Sequence, residues 1–129
     1  MISVDGLILC DDAIQDSNSG KRIYYGVFET VSVKELPALV RKMYVCFRTR
    51  GTGTHSLRVQ VSGPKGKDDG AAWIEGKVVF PEQEGQIDQA VLLSNFVLSY
   101  EGRYEVVLME GESVLGRTSL WCKVKAEER

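Results

Sequence analysis

The sequence has little of what marks a specialised protein. Its three cysteines, Cys10, Cys46 and Cys122, are an odd count, so complete internal pairing is ruled out. Their neighbours are aliphatic or aromatic, and they read as reduced thiols filling small core positions in a cytoplasmic protein. There is one histidine, His55, and no Cys-x-x-Cys, His-x-x-x-His or EF-hand spacing, so no metal signature is present. No apolar run approaches the roughly 18 residues that cross a bilayer. "MISVDGLILCDD" has no basic n-region, so neither a membrane nor a secretory leader is expected. Phosphate-loop and dinucleotide fingerprints are missing, and no cofactor is expected. The Gly-x-Gly of "RGTGTH" (50–55) joins two strands with no helix after it to supply a field, and reads as a hairpin. A formal charge of -2 on 129 residues gives no overall pull toward nucleic acid, which is the less expected partner although a local basic patch can bind it.

What is present is strand pattern. Short β-branched and aromatic segments alternate with Gly, Asn, Asp, Ser and Pro clusters. "KMYVCFRTR" (42–50) places Met43, Val45 and Phe47 on one face, with Tyr44, Cys46 and Arg48 on the other. "HSLRVQVSG" (55–63) buries Leu57, Val59 and Val61 and exposes Arg58 and Gln60. "GLILC", "RIYYGVFETV", "AWIEGKVVF" (with Ile74, Val78 and Phe80 as its apolar set), "RYEVVLME" and "SVLGRTSLWCKV" supply further strands. "QAVLLSNFVLSY" (89–100) is apolar in both phases, which predicts a bulge near Ser94-Asn95 or burial on both faces. Turns are expected at Gly102 and Gly111. The best helical window, "VKELPALVRKM", contains Pro37 and reads as an extended crossover or at most one helical turn. Half-apolar sheets must be covered, so the pattern predicts a single all-β domain: a two-layer antiparallel β-sandwich of about eight strands, immunoglobulin-like or C2-like.

The stretches "LILCDD", "GKRIYYGVFETV", "LP", "MYVCFRTR" and "EGRYEVVL" resemble a family of small bacterial proteins known only as a domain of unknown function. The resemblance covers nearly the whole chain. It implies a compact β-rich fold and transfers no catalytic or ligand residue. The C-terminal part also resembles immunoglobulin-type sandwiches, which implies that Tyr104 closes on a nearby backbone carbonyl.

Asp11 and Asp12 invite a metal or acid–base reading. If the strand continues through them their side chains diverge. If it ends at Cys10 they are turn initiators that accept local N–H bonds, which is the reading preferred here. A loop metal site would need Asp68 and Asp69 to join Asp11 and Asp12. A thiol hydrolase would need Cys46 to meet His55.

Charge supplies the one anomaly. Residues 1–33 carry -3, residues 34–67 carry +7 and residues 68–129 carry -6. On the predicted hairpin Arg48, Arg50, His55 and Arg58, with Tyr44 and Lys42 beside them, form a cationic ridge. Such a ridge suits a protein partner, self-association through the acidic last third, or an anionic ligand. Exposed strand edges add sheet extension as a second means of contact. The sequence-based expectation is therefore a non-catalytic binding or structural module.

Overall fold

The computed structural model describes residues 2–64, 72–80 and 85–125. The described residues form nine strands: β1 (Ser3–Gln15), β2 (Arg22–Phe28), β3 (Thr30–Val33), β4 (Ala38–Gly51), β5 (Thr54–Ser62), β6 (Ala72–Val79), β7 (Gly85–Leu98), β8 (Gly102–Glu110) and β9 (Ser113–Val124). They make a four-stranded sheet in the order β2-β1-β4-β7 and a five-stranded sheet in the order β3-β9-β8-β5-β6. All neighbours are antiparallel except β3 and β9. The ninth strand arises because "RIYYGVFETV" breaks at Glu29, with β2 in one sheet and β3 in the other.

Alternation builds the core. Leu9, Met43, Val45, Phe47 and Leu93 of the four-stranded sheet share one buried cluster with Leu57, Val59, Val61, Val106, Leu108 and Leu120 of the five-stranded sheet. Each sheet has one apolar face, and the two faces close on each other. Tyr104 is 1% exposed, and its hydroxyl donates to the Tyr100 carbonyl at 3.2 Å and accepts from the Tyr100 amide at 3.1 Å. That bond fastens the turn through Gly102 (φ 135°), where the chain passes from β7 to β8 and so from one sheet to the other.

Several expectations need correction. Asp11 and Asp12 lie inside β1, and the turn belongs to Asp16, whose carboxylate accepts from the Ser19 hydroxyl at 2.6 Å and from the Ser19 amide at 3.2 Å. Those bonds, the hydroxyl first, hold the Asp16 carboxyl below its usual range. "RGTGTH" is no hairpin within a sheet. β4 and β5 belong to different sheets, and Gly53 (φ 81°) lets two residues turn the chain between layers. No extra residue is inserted near Ser94-Asn95, since Lys42↔Ser94 and Val40↔Phe96 keep one register. Instead Asn95 takes a left-handed φ of 54°, and the buried phase passes from Leu93 to Phe96 and Leu98. The strand is apolar in both phases because each phase faces inward for part of its length.

Cys10 and Cys46 point away from the core partners Leu9 and Val45, yet both are fully buried. Their cover comes from the chain itself. β2 and β7 are opposite edges of the four-stranded sheet, but Arg22 Nη2 donates to the Asp88 carbonyl at 3.0 Å. The β1–β2 hairpin thus curls across the outer side of β4, bringing Tyr24 beside Arg48 and Asp88.

Candidate functional site

The expected cationic ridge is not one surface. Arg48 and Arg50 stand on the outer face of the four-stranded sheet, Arg58 on the outer face of the five-stranded sheet, and His55 turns inward. The passage of the chain between layers at Gly53 separates them. Arg48 Nε donates to Asp88 Oδ1 at 2.7 Å, and the bond holds the Asp88 carboxyl below its usual range. Arg50 Nε reaches Gln86 Oε1 at 3.2 Å, and the half-buried Tyr44 has Lys42 Nζ 5.8 Å from its ring centre.

His55 is a clasp. Its Nδ1 lies 2.5 Å from Glu110 Oε2 and its Nε2 lies 2.7 Å from the Thr52 carbonyl, with Phe80 edge-on at 6.0 Å. Both ring nitrogens face oxygen acceptors, so the doubly protonated ring fits best. The Glu110 carboxylate, then the Thr52 carbonyl, raise the imidazole above its ordinary value. Cys46 is engaged elsewhere, with its sulfur 3.5 Å from that of Cys10, and burial pushes its thiol up to about 12. The structure does not bring Cys46 and His55 together.

The loop acids do not converge either. Asp12 pairs with Lys42 at 3.8 Å, Asp11 packs against Gly26, and Asp68 and Asp69 lie outside the described residues. Among the described residues no group of three or more His, Cys, Asp or Glu side chains is placed to hold a metal ion.

A different surface gathers the chemistry. The chain has two tryptophans, and both stand on the outer face of the five-stranded sheet, Trp73 at 62% exposure on β6 and Trp121 at 42% on β9. The register runs Trp73↔Gln60↔Val107↔Arg117 across the sheet, and Arg103↔Trp121 lies four residues further along β9. Strand spacing and rise separate the indoles by roughly 14 Å across and about 13 Å along the sheet. Between them is an open hollow of about 860 Å³ whose lining includes Arg58, Gln60, Arg103, Val107, Met109 and Arg117. The Arg58 guanidinium lies 4.8 Å from the Trp73 ring centre and 3.5 Å from Glu75. Arg103 Nε donates to Ser119 Oγ at 2.7 Å, and Arg117 stands 3.8 Å from Glu105.

Of the sequence-predicted residues only Arg58 belongs to this face. Trp73, Trp121, Arg103 and Arg117 were missed, although a signal for the indoles existed. Trp73 is out of phase with the apolar Ile74 and Val78, and Trp121 sits between the core residues Leu120 and Cys122. Period two sends both rings outward.

Architecture and surface thus define an all-β protein of two sheets with one bare, aromatic and arginine-bearing face. The family of unknown function DUF6941 matches residues 5–123, and the chain belongs to that family. No curated protein matches the chain in sequence. Among solved structures it is similar in fold to the Pseudomonas fluorescens alkylpurine DNA glycosylase AlkC bound to DNA containing an abasic site analog, with a TM-score of 0.54 at 10% identity. The likeness covers 95% of this chain and 30% of that one, so this chain spans under a third of the glycosylase's length. The sequence-based expectation of a protein or self partner, with nucleic acid as the lesser prospect, does not stand, since that structure with this fold is of a protein bound to DNA. Its physical fault is that net charge averages over faces, whereas a bound anion feels the groups within about a Debye length. Among the described residues no helix is long and apolar enough to cross a membrane.

Proposed function

We propose that the chain is a non-catalytic binding module that holds an extended anionic ligand on the outer face of its five-stranded sheet. The observation that carries this reading is the exposure of both tryptophans on the sheet face whose hollow holds three arginines. Burying an apolar side chain gains about 25 cal/mol per Å², and two large rings left in water forgo that gain together. The arginines are held loosely. Arg58–Glu75 and Arg117–Glu105 join side chains that are a third to a half or more exposed, and such pairs contribute only about 0–1 kcal/mol. A phosphate or sulfate can therefore replace the carboxylates at little cost. The fold also occurs in a glycosylase whose structure was solved with DNA, which adds nucleic acid to the anions worth testing.

Two observations support a role without chemistry. The thiol and imidazole that would form a nucleophile–base pair lie on different sheets with other partners. The cleft between β6 and β7, lined by Phe47, Leu57, Ile74 and Val91, offers only about 190 Å³, and the larger hollow on the outer face is lined by neither cysteine nor histidine. Three buried, unpaired thiols suit a reducing compartment, and we place the protein in the cytoplasm.

Tryptophan emission tests the reading directly, because both indoles belong to the face. Saturable change on adding polyphosphate, heparin or oligonucleotide is expected, with loss of binding in the R58E/R103E/R117E variant. Full binding by that variant would remove this face from consideration.

A further inference from the structure

We infer that the anion is single-stranded nucleic acid, its bases stacked on Trp73 and Trp121 and its phosphates met by Arg58, Arg103 and Arg117. The inference rests on the binding-face reading above and adds the class of ligand. Charge alone would suit any polyanion. The indoles narrow the choice: an inorganic polyphosphate or a sulfated sugar gives a ring little to stack on, whereas every base has a flat face. Stacking of one base on an aromatic ring contributes enough that removing the ring costs about tenfold in affinity.

The ring positions favour an unpaired strand. In a duplex the base faces are covered by their neighbours, and a sheet surface meets only the sugar–phosphate rim. Trp73 and Trp121 stand roughly 20 Å apart on the diagonal of the sheet, from the strand spacing and rise. An extended strand running along that diagonal passes over Ser62 and Glu105, with Gln60 and Arg103 beside it, while Arg58 and Arg117 stand to one side, roughly 8–10 Å from the line by strand spacing and rise and within reach of their long side chains. Gln60 Nε2 donates to Ser62 Oγ at 3.2 Å, and Ser119 Oγ accepts from Arg103, so amide and hydroxyl groups line the same path. The Arg58–Trp73 stack widens the platform at the β6 end, since a guanidinium plane also takes a base.

The local charge limits affinity and makes it measurable. Three arginines share the surface with Glu75, Glu105 and Glu112, so at most three phosphates are neutralised. Releasing the counterions of three phosphates from a single strand gives a log–log salt slope of about -2, or a loss of about twentyfold between 50 and 200 mM salt.

The test is fluorescence anisotropy of a dye-labelled oligothymidylate on the full chain, with its duplex and a polyphosphate of equal charge as competitors. Expected are preference for the single strand over both competitors, the salt slope above, and about tenfold weaker binding for W73A and for W121A. W73F keeps a ring and retains most of the affinity. Equal competition by polyphosphate, together with unchanged binding in both alanine variants, overturns the nucleic-acid inference but leaves the binding face standing. Preference for the duplex overturns the single-strand assignment. Should no anion bind, or should R58E/R103E/R117E bind all of them as before while melting normally, the face itself fails.

Discussion

His55 and Glu110 meet at 2.5 Å and tie the start of β5 to the end of β8. The contact raises the imidazole above its ordinary 6.5, so the folded state holds this proton more tightly than the unfolded chain does. Its stabilisation is therefore complete below about 6.5 and is lost as pH climbs through the raised folded value. The difference in Tm between wild type and E110Q should be largest near the acid end of that window and shrink as pH rises. A gap that stays constant across the window would show that the proton plays no part.

Tyr104 holds both polar groups of the Tyr100 backbone through one hydroxyl. Tyr104→Phe keeps the buried ring and deletes both bonds, and a loss of about 1–2 kcal/mol is expected on denaturant unfolding. Hydrogen exchange should report the change first at the β7–β8 passage. A variant as stable as wild type would mean that water replaces the hydroxyl.

Gly26 takes a left-handed φ of 63°, and a Cβ there would lie 2.3 Å from Asp11 Oδ2. Gly26→Ala should cost about 1–2 kcal/mol from the backbone alone, with a further cost from displacing Asp11. Adding Asp11→Ala should recover the second part and leave the first. Purely additive losses in the double-mutant cycle would deny the contact.

The Cys10 and Cys46 sulfurs are 3.5 Å apart beneath the β1–β2 hairpin, and the Cys46 thiol is pushed up to about 12, so almost no thiolate forms at neutral pH. Thiol reagents should label them only as fast as the structure opens, with the rate rising steeply in denaturant. Rapid labelling of Cys46 in the native protein would contradict the burial.

Much of the fold was legible because period two is a local property. Leu57, Val59 and Val61 are buried and Arg58 is exposed, as alternation requires, and Met43, Val45 and Phe47 point inward. The closure of Tyr104 on a nearby backbone carbonyl was implied by the resemblance of the C-terminal part to immunoglobulin-type sandwiches, and that carbonyl is the one of Tyr100. Sheet membership was not legible. A two-residue link with one glycine serves a hairpin or a passage between layers equally well, and which one forms depends on strands far away in sequence. That single ambiguity at Gly53 moved Arg58 to the opposite side of the molecule from Arg48 and hid the surface it shares with Trp73. That Cys10 and Cys46 are buried free thiols was legible from their apolar neighbours, but what covers them was not, since it depends on Arg22 meeting Asp88 across 66 residues.

The curl of the β1–β2 hairpin gives the molecule a back and a front. The four-stranded sheet is covered by its own chain over Cys10 and Cys46, while the outer face of the five-stranded sheet carries both tryptophans. If that second face binds as proposed, attachment to a solid support through the first should leave binding intact, and attachment the other way round should abolish it.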